Sequence, residues 1–302
     1  MTPSTFRADV LAGKRILITG GGTGLGKELA RHFVAHGASV HICGRREAVL
    51  QGAVAELREA AQHGGSVEHH ICDVRDADAI EAMVERIWAG GPLTGLVNNA
   101  AANFISPSVD ISPRGFAAVR STVMDGALFA TLACGKRWIA QGLPGSVVSM
   151  LVTWVWTGSA YVLPSVMAKT AVHAMTMSLA VEWGKHNIRV NAVAPGPFPT
   201  ESAWEKLAPI PKANVGAASA DEVPMGRFGR MPTVQPADLS AGRRLRLPDR
   251  PEHRHRRRPP PGGTEHVCRP GQVDARRLGR SEGAGAWTRR AGKSAAQRRL
   301  TW

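Results

Sequence analysis

Apolar and β-branched residues gather in six short runs along the first 196 residues, and an amphipathic segment follows each of the first five. The runs lie at 15–20, 38–43, 66–73, 94–99, 145–150 and 188–196. The segments between them have helical periodicity and lie at 25–36, 46–62, 77–89, 112–141 and 165–185. Because strands that alternate with helices build right-handed β–α–β units, the pattern predicts a doubly wound α/β domain over residues 12–196, with a parallel sheet covered by helices on both faces.

The alternation stops after Gly196. Residues 197–230 are rich in Pro, Ala and Gly, and we expect them to form a loop over a site. From Met231 onward the chain has neither strand nor helix periodicity and is rich in Arg, Pro and Gly, a composition typical of disorder. The sequence thus predicts one folded domain followed by a basic, disordered tail.

This tail also carries most of the charge of the chain. The whole sequence has a net charge of +14, and residues 231–302, with 17 Lys and Arg against 6 Asp and Glu, contribute +11 of it. Clustered arginines can neutralise nucleic-acid phosphates, but no recognised binding module accompanies them. Misread codons of a GC-rich gene also yield mostly Arg, Pro, Gly and Ala. We therefore interpret the tail as the product of a frame shift near residue 232 and expect no nucleic-acid partner.

Nothing in the sequence indicates export or a membrane. No run of about 18 apolar residues predicts a membrane span, and the N-terminus lacks the basic start and apolar stretch of a secretory signal. The four cysteines, Cys43, Cys72, Cys134 and Cys268, have no CxxC spacing, and we interpret them as reduced packing residues. We expect a cytoplasmic protein without a metal site.

Residues 19–26, TGGGTGLG, join the first strand to the first helix. Gly20, Gly24 and Gly26 stand at G-x-x-x-G-x-G spacing. Glycine permits a sharp turn and a close approach of the backbone to a pyrophosphate, which then lies at the helix N-terminus. In this strand–loop–helix setting the spacing predicts dinucleotide binding.

The end of the second strand indicates which dinucleotide is bound. An acidic residue there would bind the ribose hydroxyls of NAD, whereas an arginine accommodates the 2′-phosphate of NADP. The strand ends in Cys43-Gly44-Arg45-Arg46, without a carboxylate. Arg45, with Arg46 beside it, is the better candidate for a bidentate phosphate contact. The sequence therefore predicts NADP(H) as the cofactor.

Together these motifs resemble those of the short-chain dehydrogenase/reductase family, whose members have a Rossmann fold. Asn98-Asn99-Ala100-Ala101 follows the fourth strand, and Asp73, which ends the third strand, matches the family's adenine-contacting aspartate. The resemblance covers about residues 10–232 and leaves 233–302 as the tail. It implies a cofactor site made by Thr19, Gly20, Gly24, Leu25, Gly26, Arg45, Arg46, Asp73, Val74, Asn99, Lys169, Pro195 and Gly196.

A narrower likeness, carried by the stretches 98–113, 157–169 and 179–197, is to the 2,4-dienoyl-CoA reductase branch. In that branch, as here, the position four residues before the lysine (Lys169) holds a serine (Ser165) instead of the tyrosine of other members. The resemblance implies NADPH-dependent reduction of a C=C bond in an unsaturated 2,4-dienoyl or enoyl acyl-CoA, in fatty acid metabolism. It also implies a homotetramer.

The resemblance assigns Lys169 to the nicotinamide ribose and Ser165 to a polar contact nearby, but two other catalytic positions depart from the branch. Trp154 stands where the branch has a tyrosine that acts as acid or oxyanion donor, and an indole N–H can donate a hydrogen bond but cannot deliver a proton. Asp125 stands where the family has an asparagine. Near Lys169 we expect this carboxylate to ionise and pair, while its backbone carbonyl can hold a water of a proton relay.

Other assignments stay open. Tyr161, the only tyrosine, is either a packing residue or an acid that swings in from its loop. The acyl chain and the CoA phosphates have candidate contacts that are also explained by packing or surface charge: Phe104, Trp156, Lys206, Lys212 and Arg227. Two alternative functions are a carbonyl or alcohol dehydrogenase and a cofactor-binding but catalytically impaired product.

In the family, the segment after the position of Met231 carries one more helix and a final strand, which completes the sheet edge and commonly joins a subunit interface. Neither element is recognisable in residues 233–302. The frame-shift interpretation therefore predicts a damaged sheet edge and a weakened tetramer.

Overall fold

The computed structural model describes residues 7–198 and 226–229. All of them belong to the first of the two units into which the chain divides, Met1–Arg246 and Leu247–Trp302. The described strands are β1 (Arg15–Thr19), β2 (Ser39–Gly44), β3 (Ser66–Ile71), β4 (Gly95–Asn98), β5 (Gly145–Met150) and β6 (Ile188–Val193). They form one parallel sheet with the order β3-β2-β1-β4-β5-β6, which confirms the predicted Rossmann-like architecture.

Helices connect the strands as the periodicity predicts. They are α1 (Gly24–Ala35), α2 (Glu47–Ala60), α3 (Ala77–Ala89), α4 (Pro113–Arg120), α5 (Gly126–Ala140), α6 (Trp154–Thr157) and α7 (Leu163–Trp183). A π-helical turn, Ser121–Asp125, joins α4 to α5, and 3₁₀ turns lie at Ser108–Asp110 and Gly184–His186. The predicted segment 112–141 is thus one helical rod with a local irregularity.

Two apolar clusters cover the two faces of the sheet. On β1, Ile16 and Ile18 point to the cluster that contains α1 and α2, whereas Leu17 points to the cluster that contains α3 and α5. Successive strand residues face opposite sides of a sheet, so a strand buried on both sides is apolar at every position. This explains why inner strands such as β1 and β4 show no alternation. Each fully buried large side chain, such as Phe33 or Trp138, stabilises the fold by about 1.5–3 kcal/mol.

The start of α3 shows how local chemistry sets an element boundary. Asp76 precedes the helix with extended backbone, and its Oδ1 accepts hydrogen bonds from the N–H groups of Asp78 and Ala79, both at 3.0 Å. An aspartate in this position satisfies donors that the first helical turn leaves without partners. The observed helix therefore begins and ends where the sequence predicts.

By length and composition, one helix in the described part of the chain, Pro113–Ala140, is apolar enough to cross a membrane. Its residues Ala130, Ala133, Cys134 and Trp138 are buried in the cluster shared with α3 and the sheet. The core helix of a soluble protein meets the same criterion, so a single such helix is weak evidence for a membrane span.

Cys43, Cys72 and Cys134 are free and buried, which agrees with the packing role expected of them. Burial raises the pKa of Cys43 and of Cys134 to about 12, and the pKa of Cys72 to about 11. Such thiols stay protonated and unreactive at neutral pH. Cys268, the tail at 233–302 and most of the loop at 197–230 lie outside the described residues, so the predictions about them stay predictions.

Candidate active site

The candidate site lies at the carboxyl ends of the strands, where the sheet order changes direction. β1 has β2 on one side and β4 on the other, so the chain leaves β1 toward one half of the sheet and later continues in the other half. In open α/β sheets the crevice at such a switch point is where ligands bind. The topology brings the glycine loop and the segments after β4 and β5 to this edge.

Two glycines of the loop after β1 have no room for a side chain. Gly20 has a φ of 66°, and a Cβ on it would lie 2.9 Å from the Cα of Ala100. A Cβ on Gly26 would collide with the side chain of Asn99 and would lie 2.5 Å from the carbonyl oxygen of Gly20. The protein's own packing thus requires glycine at two positions where the sequence predicts a close approach to a pyrophosphate.

Thr19 and Asn99 hold this loop against the end of β4. The side-chain amide of Asn99 donates hydrogen bonds to the carbonyl oxygens of Thr19 and Gly20, at 3.0 and 3.1 Å. The hydroxyl oxygen of Thr19 accepts from the backbone N–H groups of Asn99 and Ala100, both at 3.1 Å. Both residues were predicted as cofactor contacts, and the structure shows that they shape the loop.

The N-terminus of α1 is suited to an anion. Thr23, the residue before the helix, makes no side-chain capping hydrogen bond, and the first turn contains no acidic residue. Uncapped N–H groups and the positive end of the helix dipole favour a negatively charged group at this point. Gly24 and Leu25 begin the helix here, so the residues present fit the pyrophosphate that the motif predicts.

The ends of β2 and β3 bring arginines and a carboxylate together. Arg45 and Arg46 are exposed between β2 and α2, and Arg46 stands at a helix start, where the dipole does not favour a cation. Asp73, after β3, is bound by Arg75 through Nε (2.9 Å to Oδ1) and Nη2 (2.5 Å to Oδ2). The hydrogen bonds from Arg75, together with the more distant charge of Arg45, lower the pKa of Asp73.

Arg75 is a residue of the site that sequence reasoning missed. The Asp-x-Arg spacing places its guanidinium on the carboxylate of Asp73. A bidentate arginine fixes the orientation of a carboxylate. An adenine contact through Asp73 would therefore use a carboxylate that is already ionised and oriented.

Lys169 lies on α7 with only 6% of its surface exposed. Its Nζ donates a hydrogen bond to the carbonyl oxygen of Met150, the last residue of β5. Burial lowers the pKa of Lys169 to about 8. The structure thus holds a buried amine at the carboxyl end of β5, beside the switch point.

Ser165 is also buried and lies one helical turn before Lys169 on α7. Residues four apart on a helix share one face, so the two polar side chains lie on the same side of α7. Next to Lys169, Ala168 packs against Val119 and Val123. This contact brings α7 to the end of α4 and to the π-helical turn that contains Asp125.

Asp125 closes the π-helical turn, in which the N–H of Gly126 donates to the carbonyl oxygen of Ser121, five residues earlier. Its carboxylate lies 3.4 Å from Nε of Arg120. The expectation that Asp125 pairs with Lys169 is therefore corrected: its partner is Arg120, and Lys169 uses the carbonyl of Met150. A π-turn weakens the regular i→i−4 ladder, which frees backbone carbonyls for other contacts.

Trp154 begins α6, a single turn between β5 and α7, and is half-buried. The ring of Trp156 is 61% exposed and packs edge-on against His173 of α7, with ring centroids 5.4 Å apart. Tyr161 is 45% exposed in the following loop, with a φ of 64°, and its carbonyl oxygen accepts from the N–H of Ser106. The phenol thus lies on a strained loop that is anchored by its backbone.

The remaining residues predicted to contact the cofactor or the substrate lie in different environments. Val74 is buried after β3, where a Cβ on Gly126 would touch it, and Pro195 and Gly196 follow β6 at the same sheet edge. Phe104 packs into the cluster of α4 and α7, which favours its core interpretation. Arg227 is exposed, whereas Lys206 and Lys212 lie outside the described residues.

The sequence belongs to the short-chain dehydrogenase family: the model of the family described as short chain dehydrogenase matches residues 14–210. The protein is therefore an oxidoreductase of a family that uses NAD or NADP. Among curated relatives, a probable 2,4-dienoyl-CoA reductase [(2E)-enoyl-CoA-producing] of Bacillus subtilis is 38% identical over 218 residues, 72% of this chain and 84% of the relative.

Solved structures agree with this assignment. A short-chain dehydrogenase from Bacillus anthracis is 39% identical with a TM-score of 0.62, over 72% of this chain and 84% of that one. A gluconate 5-dehydrogenase-like structure from Beutenbergia cavernae, described with bound NADP at low occupancy, is 26% identical with a TM-score of 0.65, over 74% and 87% of the two chains.

Proposed function

We propose that the protein is an NADPH-dependent reductase of a C=C bond in an unsaturated acyl-CoA thioester, a 2,4-dienoyl or enoyl ester, that acts in fatty acid metabolism. The name of the Bacillus subtilis relative supports this substrate class. We also propose the cytoplasmic location and the domain boundary near residue 232 that the sequence predicts.

The observation that carries the proposal is the pair of buried polar residues on α7. Lys169 is anchored to the last carbonyl of β5, and Ser165 lies one turn before it in place of a tyrosine. Reduction of a carbonyl to an alcohol depends on a strong proton donor at that position. A conjugated thioester reduces through a dienolate, which can take its proton from water, so the serine favours C=C chemistry.

Several residues fit a nicotinamide dinucleotide, which when bound supplies a hydride to the substrate. The glycine loop and the N-terminus of α1 would hold its pyrophosphate, and Arg45 with Arg46 would hold the 2′-phosphate of NADP. Asp73 would contact the adenine and Lys169 the nicotinamide ribose. These assignments combine a free helix N-terminus, exposed arginines at a strand end and a buried amine.

The remaining task of the protein is to stabilise charge and to return a proton. Negative charge develops on the thioester oxygen as the C=C bond is reduced, and preorganised donors in a dry site stabilise it strongly. We assign this role to the ammonium of Lys169 and the indole N–H of Trp154. A water on a backbone carbonyl of the π-helical turn at Asp125 would deliver the proton to carbon.

The test is NADPH oxidation by the full chain in the presence of 2,4-hexadienoyl-CoA, followed by absorbance. We expect NADPH consumption that depends on the thioester and no reaction with simple ketones. Consumption with a ketone but not with the thioester would support the carbonyl-dehydrogenase alternative and contradict the proposal. NADPH binding without turnover on either substrate would identify a catalytically impaired protein.

Cofactor choice is tested separately with Arg45→Ser. Loss of a charge-assisted contact to phosphate costs about 1.5–3 kcal/mol, so the Kd for NADPH should rise about tenfold to a hundredfold while the Kd for NADH changes little. Arg58→Ser, at an exposed arginine near the other end of α2, is the matched control. An equal effect of Arg45→Ser on both cofactors would exclude the proposed 2′-phosphate contact.

A further inference from the structure

Three side chains that the proposed reaction does not use, His41, Glu68 and His70, lie together on β2 and β3. In the parallel register of these strands, His41 pairs with Glu68 and Cys43 pairs with His70. Residues two apart on a strand share a face, so all three side chains lie on the face that carries Cys43. That face packs on α3.

The distances within this cluster resemble those of a metal site. Nδ1 of His41 lies 3.1 Å from Nε2 of His70 and 3.6 Å from a carboxylate oxygen of Glu68, and all three atoms lie within 4.8 Å of one another. In a tetrahedral zinc site with bonds of about 2.0–2.1 Å, two ligand atoms are about 3.3–3.4 Å apart. Small side-chain adjustments would therefore place the three atoms around one ion.

Burial in the cluster is graded. His41 is 2% exposed, His70 is half-buried and Glu68 is exposed, so the cluster opens to solvent on the side of the carboxylate. In the described part of the structure, Nε2 of His41 has no hydrogen-bond partner. The contact between Nδ1 of His41 and Nε2 of His70 requires only that one of the two nitrogens carries the hydrogen, so the form of His41 with a free lone pair on Nδ1 is accessible.

A hydrogen bond between the two imidazoles explains only part of this arrangement. It accounts for the 3.1 Å contact, whereas Glu68, 3.6 Å from His41 and so beyond hydrogen-bond distance, acts on the imidazoles only through its charge. A shared cation engages all three side chains. The positive charges of Arg15 and Arg86 act on His41 and His70 and oppose a cation, so we expect weaker binding than at a cysteine-rich structural zinc site.

We propose that His41, Glu68 and His70 bind a divalent transition-metal ion such as Zn²⁺, with water in the fourth position. Imidazole nitrogen and carboxylate oxygen are ligands that Zn²⁺ accepts, and three protein ligands leave one position open. The ion would link the edge strand β3 to β2. The expectation of no metal site came from cysteine spacing, which does not report on ligands that two strands bring together.

The test is calorimetric titration of the full chain, stripped with EDTA and dialysed, with ZnCl₂ at pH 7.5. Histidines and cysteines elsewhere in the chain can also bind zinc. The proposed site is therefore assessed from the difference in zinc stoichiometry and affinity between the wild type and each variant. His70→Gln should lose one binding equivalent, and Glu68→Gln should weaken that equivalent at least about tenfold. His69→Gln removes a neighbouring histidine whose side chain lies on the opposite face of β3, and it should bind as the wild type does.

A second measurement uses Co²⁺, whose visible absorption is intense in tetrahedral sites. We expect this absorption in the wild type and in His69→Gln, and its loss in His70→Gln, with circular dichroism to confirm that the variant is folded. Equal zinc stoichiometry and affinity in the wild type and His70→Gln would overturn the proposal. An equal loss in His69→Gln would also overturn it, since that result would mean nonspecific histidine binding.

Discussion

At the residue scale, Lys169 is the clearest case of an environment that changes the chemistry of a side chain. A lysine on the surface has an amine that is charged at all physiological pH values, whereas burial lowers the pKa of Lys169 to about 8. Desolvation penalises the ammonium, and the carbonyl of Met150 supplies one partner for it. The amine therefore titrates close to neutral pH, far below the range of an exposed lysine.

This titration predicts how stability depends on pH. Because the folded pKa of Lys169 is about 8 and the ordinary value is 10.5, the unfolded chain binds more protons between these pH values, and the free energy of unfolding rises with pH there. Relative to Lys169→Met, the wild type should gain about 3 kcal/mol between pH 8 and pH 10.5. Urea unfolding of both proteins across this range measures the gain, and parallel curves would contradict it.

The same titration bears on the proposed activity. Only the protonated amine can stabilise a developing negative charge, so kcat/KM should fall as the pH rises through about 8. A rate that stays constant to pH 9.5 would exclude the ammonium from the reaction.

Trp154 offers a second prediction at this scale. If the protein lacks a strong proton donor because tryptophan replaces the tyrosine of the branch, Trp154→Tyr should raise kcat with a dienoyl-CoA, by about tenfold or more, because general acids typically contribute 10²–10⁴-fold. Trp154→Phe should lower kcat, since it removes the indole N–H, and Trp88→Phe, near the end of α3, is the control. An unchanged kcat in both Trp154 variants would mean that the residue is not at the reacting centre.

At the element scale, the glycine loop and the segment after β4 form one unit. Asn99 donates to two loop carbonyls, and Gly20 and Gly26 pack too closely against this segment for any side chain. Cofactor binding and loop packing therefore depend on the same residues.

Gly26→Ala tests this dependence. The added Cβ would collide with Asn99 and the carbonyl of Gly20, so we expect a loss of about 1–3 kcal/mol in the free energy of unfolding and at least a tenfold rise in the Kd for NADPH. Gly52→Ala, at an exposed position of α2 with open space around it, should instead stabilise the protein by up to about 1 kcal/mol. Thermal unfolding measures the change in stability, and calorimetric titration measures the Kd for NADPH. Similar results for Gly26→Ala and Gly52→Ala would refute the packing argument.

At the scale of the whole molecule, β6 is an edge of the described sheet. An edge strand presents unpaired N–H and C=O groups, and the family resemblance implies a further strand that would cover them. The composition of residues 233–302 predicts that no such strand forms from this tail.

The frame-shift interpretation can be checked on the gene and on the protein. Translation of the DNA beyond codon 232 in another frame should yield an apolar strand followed by Gly-Gly. A protein with that sequence should be a tetramer by light scattering and should have a Tm at least about 5 °C higher, because each additional kcal/mol raises the Tm of a domain of this size by about 2–4 °C. The absence of such a strand in both other frames would reject the interpretation.

The sequence predicted the elements well and the contacts between them poorly. Strand and helix bounds agree with the structure to within a few residues, since apolar period and caps such as Asp76 act locally. The partner of Asp125 was predicted wrongly, and the π-helical turn at that residue was not predicted at all. The π-helical turn places Asp125 beside Arg120, five residues earlier, whereas Lys169 is bound by the carbonyl of Met150, a contact between distant parts of the chain that no local signal encodes.

By itself, the sequence determined the alternation of strands and helices, the glycine loop and the basic end of β2, because these arise from periodicity and from residue types next to one another. Only the tertiary structure decided that Arg75 holds Asp73, that Lys169 is buried against the carbonyl of Met150, and that His41 meets Glu68 and His70. The physical reason is that burial and side-chain distance are properties of packed surfaces, and packing joins residues that the chain keeps apart.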